Sequence, residues 1–102
     1  MRTLTDETFG EAVAGDTVLV EFTASWCPPC RMIEPVLAEL DAELDAVSFA
    51  KIDTDENPRT ARDLGIMGMP TLHLYRDGAL VAQLVGARPK AQLMKWLEPH
   101  LG

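Results

Sequence analysis

The spacing of apolar residues changes several times along the chain, and each change marks a different element. From Thr17 to Thr23 the run Val18-Leu19-Val20-Glu21-Phe22 is too continuously apolar for a strand with one wet face, which predicts a central strand buried on both faces. Met32, Ile33, Val36, Leu37, Leu40 and Leu44 then recur at helical spacing, predicting a helix from the cysteines at 27 and 30 to about Asp45. Pro35 lies inside it and is expected to kink it, because an interior proline removes a backbone donor and crowds the preceding turn. Val47 to Asp53 reads as a second strand, and two strands joined through a long helix make a parallel unit with a right-handed crossover.

The flanking segments carry clearer punctuation. Residues through Leu4 form a short strand, and Thr5 is the expected N-cap of a short helix, with Asp6 and Glu7 in its first turn and Phe9 and Val13 on one face. Gly15-Asp16 ends it. Asn57 and Pro58 open another short helix that Gly65 closes. Thr71 to Tyr75 and Leu80 to Val85 flank Arg76-Asp77-Gly78-Ala79, and Asp-Gly between apolar runs signals an antiparallel hairpin. Pro89 starts a last helix with Leu93, Leu97 and Leu101 toward the core, loosened at its end by Pro99. The resulting sheet is mixed, in an α/β chain.

With 102 residues and 47% apolar composition, the chain suffices for one core and is too short for two ordinary domains, so residues 1–102 are expected to form a single domain. Sixteen acidic residues against nine Lys and Arg give a net charge of −7, which disfavours nucleic acid and anionic membrane as partners. No stretch approaches the roughly 20 apolar residues of a membrane span, and the polar start lacks a secretory apolar segment. The expectation is a cytoplasmic monomer, in a compartment where a permanent disulfide would be unusual.

Against that background the only two cysteines, Cys27 and Cys30 in Trp26-Cys27-Pro28-Pro29-Cys30, draw the chemical interest. They lie one turn apart where strand gives way to helix, and the positive end of a helix dipole favours thiolate over thiol. Cys27, nearer the helix start, is expected to expose its sulfur and attack first, and Cys30 to be shielded and to resolve the mixed disulfide at high effective concentration. A zinc site is disfavoured: it needs four ligands, and only His73 and His100 remain as soft donors. Glu21 is an ionisable group in a strand buried on both faces, costly unless paired or neutral. Lys51 interrupts the neighbouring apolar strand in the same way, so the two are expected either to pair beneath the cysteines or to lie at a solvated edge. In the first case Glu21 takes the Cys30 proton. Met69-Pro70 precedes a strand, where a proline that cannot donate to the ladder serves as its start.

Trp26-Cys27-Pro28-Pro29-Cys30, Glu21, Lys51, Met69-Pro70-Thr71, Asp77-Gly78 and Val85-Gly86-Ala87 together resemble the thioredoxin family in order and spacing, over nearly the whole chain. The resemblance implies a thioredoxin fold, a central mixed five-stranded sheet flanked by four helices, with a cis bond at Pro70. It implies a protein-disulfide reductase with no cofactor of its own, recharged by a separate thioredoxin reductase-like electron donor. Clients are then disulfide-containing proteins whose extended segments pair with the backbone before Pro70. Trp26, Pro28, Pro29, Met67, Gly68, Met69, Pro70, Gly86 and Ala87 line their groove, and Met67 makes its rim apolar and adaptable.

Three positions depart from the family pattern. Glu21 stands where an Asp is usual, Thr23 where an aromatic is common, and Pro28 where Gly is usual. Pro28 and Pro29 lack backbone N–H groups, so Cys30 and Arg31 are the expected donors nearest the Cys27 sulfur. Pro28 keeps open a dedicated-client or oxidant-side exchanger, and the same groove would also serve a binding module without turnover.

Overall fold

The computed structural model describes residues 1–101. Its elements run β1 (Arg2–Leu4), α1 (Phe9–Val13), β2 (Thr17–Thr23), α2 (Pro28–Glu43), β3 (Ser48–Asp53), α3 (Pro58–Asp63), β4 (Thr71–Arg76), β5 (Ala79–Val85) and α4 (Lys90–Leu97), followed by a 3₁₀ turn at Glu98–His100. The sheet order is β1-β3-β2-β4-β5. β1 and β2 flank β3 in parallel, whereas β4 runs antiparallel to both β2 and β5. Sheet and helices form the mixed five-stranded, four-helix arrangement of the thioredoxin fold.

Strand alternation sorts the core into two layers. On one face Leu19, Phe49, Leu72 and Leu74 pack against Ile33, Leu37 and Leu40 of α2 and Leu93 and Leu97 of α4. On the other, Val18, Val20, Phe22, Ala50, Ile52 and Tyr75 pack with Leu4 and Val13, and the Phe9 ring closes over Phe22 and Tyr75. Each large aliphatic side chain so buried contributes about 1.5–3 kcal/mol, which is why β2, covered on both faces, tolerates so few polar residues. The hairpin between β4 and β5 turns on Asp77 and Gly78, both at positive φ (52° and 84°), the conformation that an Asp-Gly turn supplies.

The helix starts required two corrections. α1 begins at Phe9 with Thr8 as its N-cap, so Thr5, Asp6 and Glu7 precede the helix. The Thr5 N–H donates to Thr8 Oγ1 at 2.9 Å, and Asp6 is diverted to α3. There its carboxylate accepts the Thr60 N–H at 2.9 Å and the Thr60 hydroxyl at 2.7 Å, and its own N–H donates to Asn57 Oδ1 at 2.9 Å. Asn57 precedes Pro58 as expected, but its side chain makes no cap bond within its own helix. Gly65, at φ 69°, closes α3, and the Ile66 N–H returns to the Ala61 carbonyl at 2.9 Å. At the other end of the chain, Pro89 caps α4 from outside it.

α2 ends at Glu43, two residues earlier than Asp45. The Leu44 backbone leaves the helical region there, so its N–H makes the last bond, to the Leu40 carbonyl at 2.8 Å. Pro35 is accommodated within one continuous helix. Among the described residues no helix is long and apolar enough to cross a membrane.

Candidate active site

The site forms where β2 ends. After Thr23 the chain turns through Ala24 to Trp26, and Pro28 and Pro29 occupy the first positions of α2, where missing N–H groups cost nothing because a helix start leaves them unpaired. Cys27 is the N-cap. Its sulfur accepts the Cys30 N–H at 3.2 Å, and the two cysteines, with Cα atoms 5.3 Å apart, are joined as a disulfide. The Arg31 N–H goes instead to the Cys27 carbonyl, at 3.4 Å, so it is not a second donor to the sulfur.

Exposure of Cys27 is the larger correction. Cys27 is 2% exposed and Cys30 fully buried, both enclosed with Ala24 and Met69. The packing of the Pro70 loop against the disulfide shields both sulfurs, and position at the helix start alone does not reveal that cover. The dipole argument still distinguishes the two, because among the described residues only Cys27 accepts a backbone N–H.

That loop is held from three sides. The Met69–Pro70 bond is cis. The Gly86 N–H donates to the Pro70 carbonyl at 2.7 Å, with Gly86 at φ 95°, a conformation that favours glycine. The Thr71 hydroxyl donates to the Gly68 carbonyl, and the Thr54 hydroxyl approaches Met69 Sδ at 3.3 Å. A side chain on Gly68 would press on Val85, since a Cβ there lies 3.0 Å from Val85 Cγ1. The Met69 N–H and C=O make no backbone hydrogen bond among the described residues.

Around the disulfide the surface is apolar. Trp26 is 63% exposed and Met67 96%, and Pro28, Pro29 and Met32 also face solvent. The Trp26 indole N–H is anchored by Asp55 Oδ2 at 2.7 Å. Ala87, half-buried, lines a cleft of about 240 Å³ with Met32 and Val36 on one flank of the site, and Met67 and Gly68 line one of about 260 Å³ on the other. Asp55 and Thr54 were not singled out from the sequence; they follow β3 without any motif of their own.

Beneath the surface, Glu21 and Lys51 are register partners on adjacent strands, yet they form no ion pair. Lys51 Nζ turns to Glu34 Oε1 of α2 at 3.1 Å. Glu21 is fully buried, and neither carboxylate oxygen has a hydrogen-bond partner. Burial first, then the nearby negative charge of Glu34, pushes Glu21 up to about 8, while the positive charge of Lys51 opposes the rise. The Thr23 hydroxyl makes its own contact with Glu34 Oε2, at 3.5 Å. His73, the other soft donor within the sheet, is engaged at both ring nitrogens, by the Tyr75 hydroxyl at 2.9 Å and Gln83 Oε1 at 2.8 Å.

The arrangement is chemically specific: two cysteines able to exchange two electrons, one of them at a helix N-terminus, beside a loop in which Met69 leaves backbone groups free, with a buried carboxyl of raised pKa on the strand that leads into them. The profile of the thioredoxin family matches residues 1–99. The chain is 53% identical over 93 residues to the thioredoxin of Alicyclobacillus acidocaldarius subsp. acidocaldarius, covering 89% of each chain. It is 45% identical over 98 residues to that of Bacillus subtilis (strain 168), covering 95% of this chain and 94% of the relative. With the thioredoxin of Mycolicibacterium smegmatis the identity is 47% over 103 residues, covering 96% and 92%.

Proposed function

The chain belongs to the thioredoxin family and is a protein-disulfide reductase acting by dithiol–disulfide exchange, and from that premise we propose that Cys27 is the attacking thiolate and Cys30 the resolving thiol. The observation that carries this assignment is the Cys30 N–H donating to the Cys27 sulfur, the one cysteine sulfur among the described residues with a backbone donor to stabilise negative charge. In the reduced protein the Cys27 thiolate attacks a client disulfide, forming a mixed disulfide and releasing one client thiolate. The Cys30 thiol then gives its proton to the Glu21 carboxylate, and its sulfur attacks Cys27. The Cys27–Cys30 bond forms as the Cys27–client bond breaks, and the second client thiolate leaves to be protonated from solvent. Two electrons have passed from the dithiol to the client.

Trp26, Pro28, Pro29, Met67, Gly68, Met69, Pro70, Gly86 and Ala87 serve the client in this account. The unpaired backbone of Met69 offers one rung to an extended client segment, while exposed Trp26 and Met67 cover its apolar side chains. Lys51 acts through Glu34 rather than directly on the cysteines. The clients are disulfide-containing proteins, and a separate thioredoxin reductase recharges the dithiol, as is general in the family. Residues 1–102 work as one monomeric domain in the cytoplasm, without a cofactor of their own.

The equilibrium reduction potential of the Cys27–Cys30 pair tests the reducing direction. The tryptophan signal from Trp26 reports it in a dithiol buffer, with a Trp26→Phe variant to subtract Trp96. A value near or below about −270 mV, the usual figure for thioredoxins, is expected. A value above about −200 mV would place the pair on the oxidising side of the cytosolic glutathione poise and support an oxidant-side or dedicated-client exchanger.

A further inference from the structure

Glu34 occupies a place that the exchange chemistry leaves unexplained. It sits one helical turn beyond Cys30 on the same face of α2, is half-buried, and reaches down to β2 and β3 at once, meeting Lys51 Nζ at 3.1 Å and the Thr23 hydroxyl at 3.5 Å. These are the two polar side chains that flank Glu21 on its face of the sheet, Lys51 as its register partner and Thr23 two residues along its own strand. Glu34 engages both, and Glu21 is left with neither oxygen bonded. Among the described residues, Glu34 and Lys51 are the charged groups that act on Glu21. Its register partner on β4 is Leu72, and His73 lies on the opposite face against Phe22.

We propose that Glu34 is a positioning residue of the exchange reaction: by holding Lys51 and standing as a second carboxylate above Glu21, it governs when Glu21 takes and gives up the Cys30 proton. This rests on the reading of Glu21 as the proton acceptor. A lysine free to turn toward Glu21 would stabilise its anion and make it a weak base; a lysine drawn away by a competing acid, with that acid's own charge added, favours the protonated form instead. The raised value of Glu21 agrees in direction, since Glu34 is the largest contributor after burial. An acid or base works best with a midpoint near the working pH, so the Glu34–Lys51 pair tunes Glu21 toward the useful range. Glu34 and Lys51 also line a recess of about 310 Å³ with Thr23, Ala24 and Arg31, which gives the pair solvent on one side while Glu21 stays sealed.

The test is a titration of the Glu21 side-chain carboxyl by ¹³C NMR in protein carrying labelled glutamate, assigned with Glu21→Gln. It is run on the oxidised wild type and on Glu34→Gln, alongside the pH profile of protein-disulfide reduction by all three proteins. Glu34→Ala, at a helix position that accepts alanine well, provides the second variant if glutamine disturbs the packing. Expected is a fall in the Glu21 midpoint of roughly one unit on loss of Glu34, with the rate profile moving in the same direction. An unchanged midpoint in the Glu34 variants overturns the role of Glu34. A midpoint that falls while wild type and Glu21→Gln share one rate profile overturns instead the reading of Glu21 as proton acceptor.

Discussion

The Cys30 N–H lies 3.2 Å from the Cys27 sulfur and is the only backbone donor to it among the described residues, because prolines fill both positions between them. A thiolate at a helix start draws its stabilisation from such donors as well as from the dipole. Pro28→Gly restores an N–H at the first position of α2 and frees the loop. The expected outcome is a change in reduction potential of more than about 15 mV, half of a tenfold step in the exchange constant. Identical potentials for wild type and Pro28→Gly in the same dithiol buffer would show that the second proline is redox-neutral.

Glu21 makes stability depend on pH in an unusual direction. Its folded value, about 8, lies above the ordinary 4.5, so the fold favours the neutral acid. Its contribution is fully present below about pH 4.5 and is lost as pH rises through about 8, at about 1.4 kcal/mol per unit over that window. Glu21→Leu, which fills the same buried position without a charge, is therefore expected to gain stability relative to wild type as pH rises from 5 to 9, by on the order of a few kcal/mol. Denaturant midpoints at the two pH values check this. A difference between the two proteins that does not change with pH contradicts it.

His73 acts with the opposite sign. Burial holds its imidazole below the ordinary 6.5, partly offset by Gln83, so the unfolded chain binds the proton more readily than the folded one. The contribution is present above about pH 6.5 and is lost as pH falls. His73→Leu exchanges this sensitivity for an apolar contact with Phe22 and Tyr75, and is expected to flatten the loss of stability between pH 7 and pH 5. Equal slopes for the two proteins in urea unfolding would rule the histidine out.

How much of this the sequence carries depends on whether a signal is local. The apolar run of β2, the Asp77-Gly78 turn and the Asn57-Pro58 helix start are each specified by neighbouring residues, and each forms where the pattern predicts. The residues from Thr5 to Thr8 contain two hydroxyl caps and two acids within four positions. The helix starts at the second hydroxyl, Thr8, whose N–H donates to Thr5 Oγ1 at 3.3 Å, while Asp6 is drawn off to Thr60, more than fifty residues away. Glu34 reads as ordinary polar helix surface until the crossing of α2 over β2 and β3 sets it against Lys51. For the same reason the expected Glu21–Lys51 pair was half legible: strand register brings the two side by side, and a helix residue out of reach of any strand pattern takes the lysine. The cover over Cys27 likewise comes from a loop forty residues downstream, at Met69.

The central claim is that Cys27 attacks and Cys30 resolves, and trapping tests it most directly. Cys30→Ser and Cys27→Ser proteins, each reduced and mixed with a disulfide-containing protein, are separated without reductant. The account predicts a mixed disulfide that accumulates through Cys27 in Cys30→Ser, is released by added dithiol, and is several-fold less abundant in Cys27→Ser. Equal trapping by both variants, or trapping through Cys30 alone, would contradict it, and retention of the same partner with both cysteines replaced would point to a binding module.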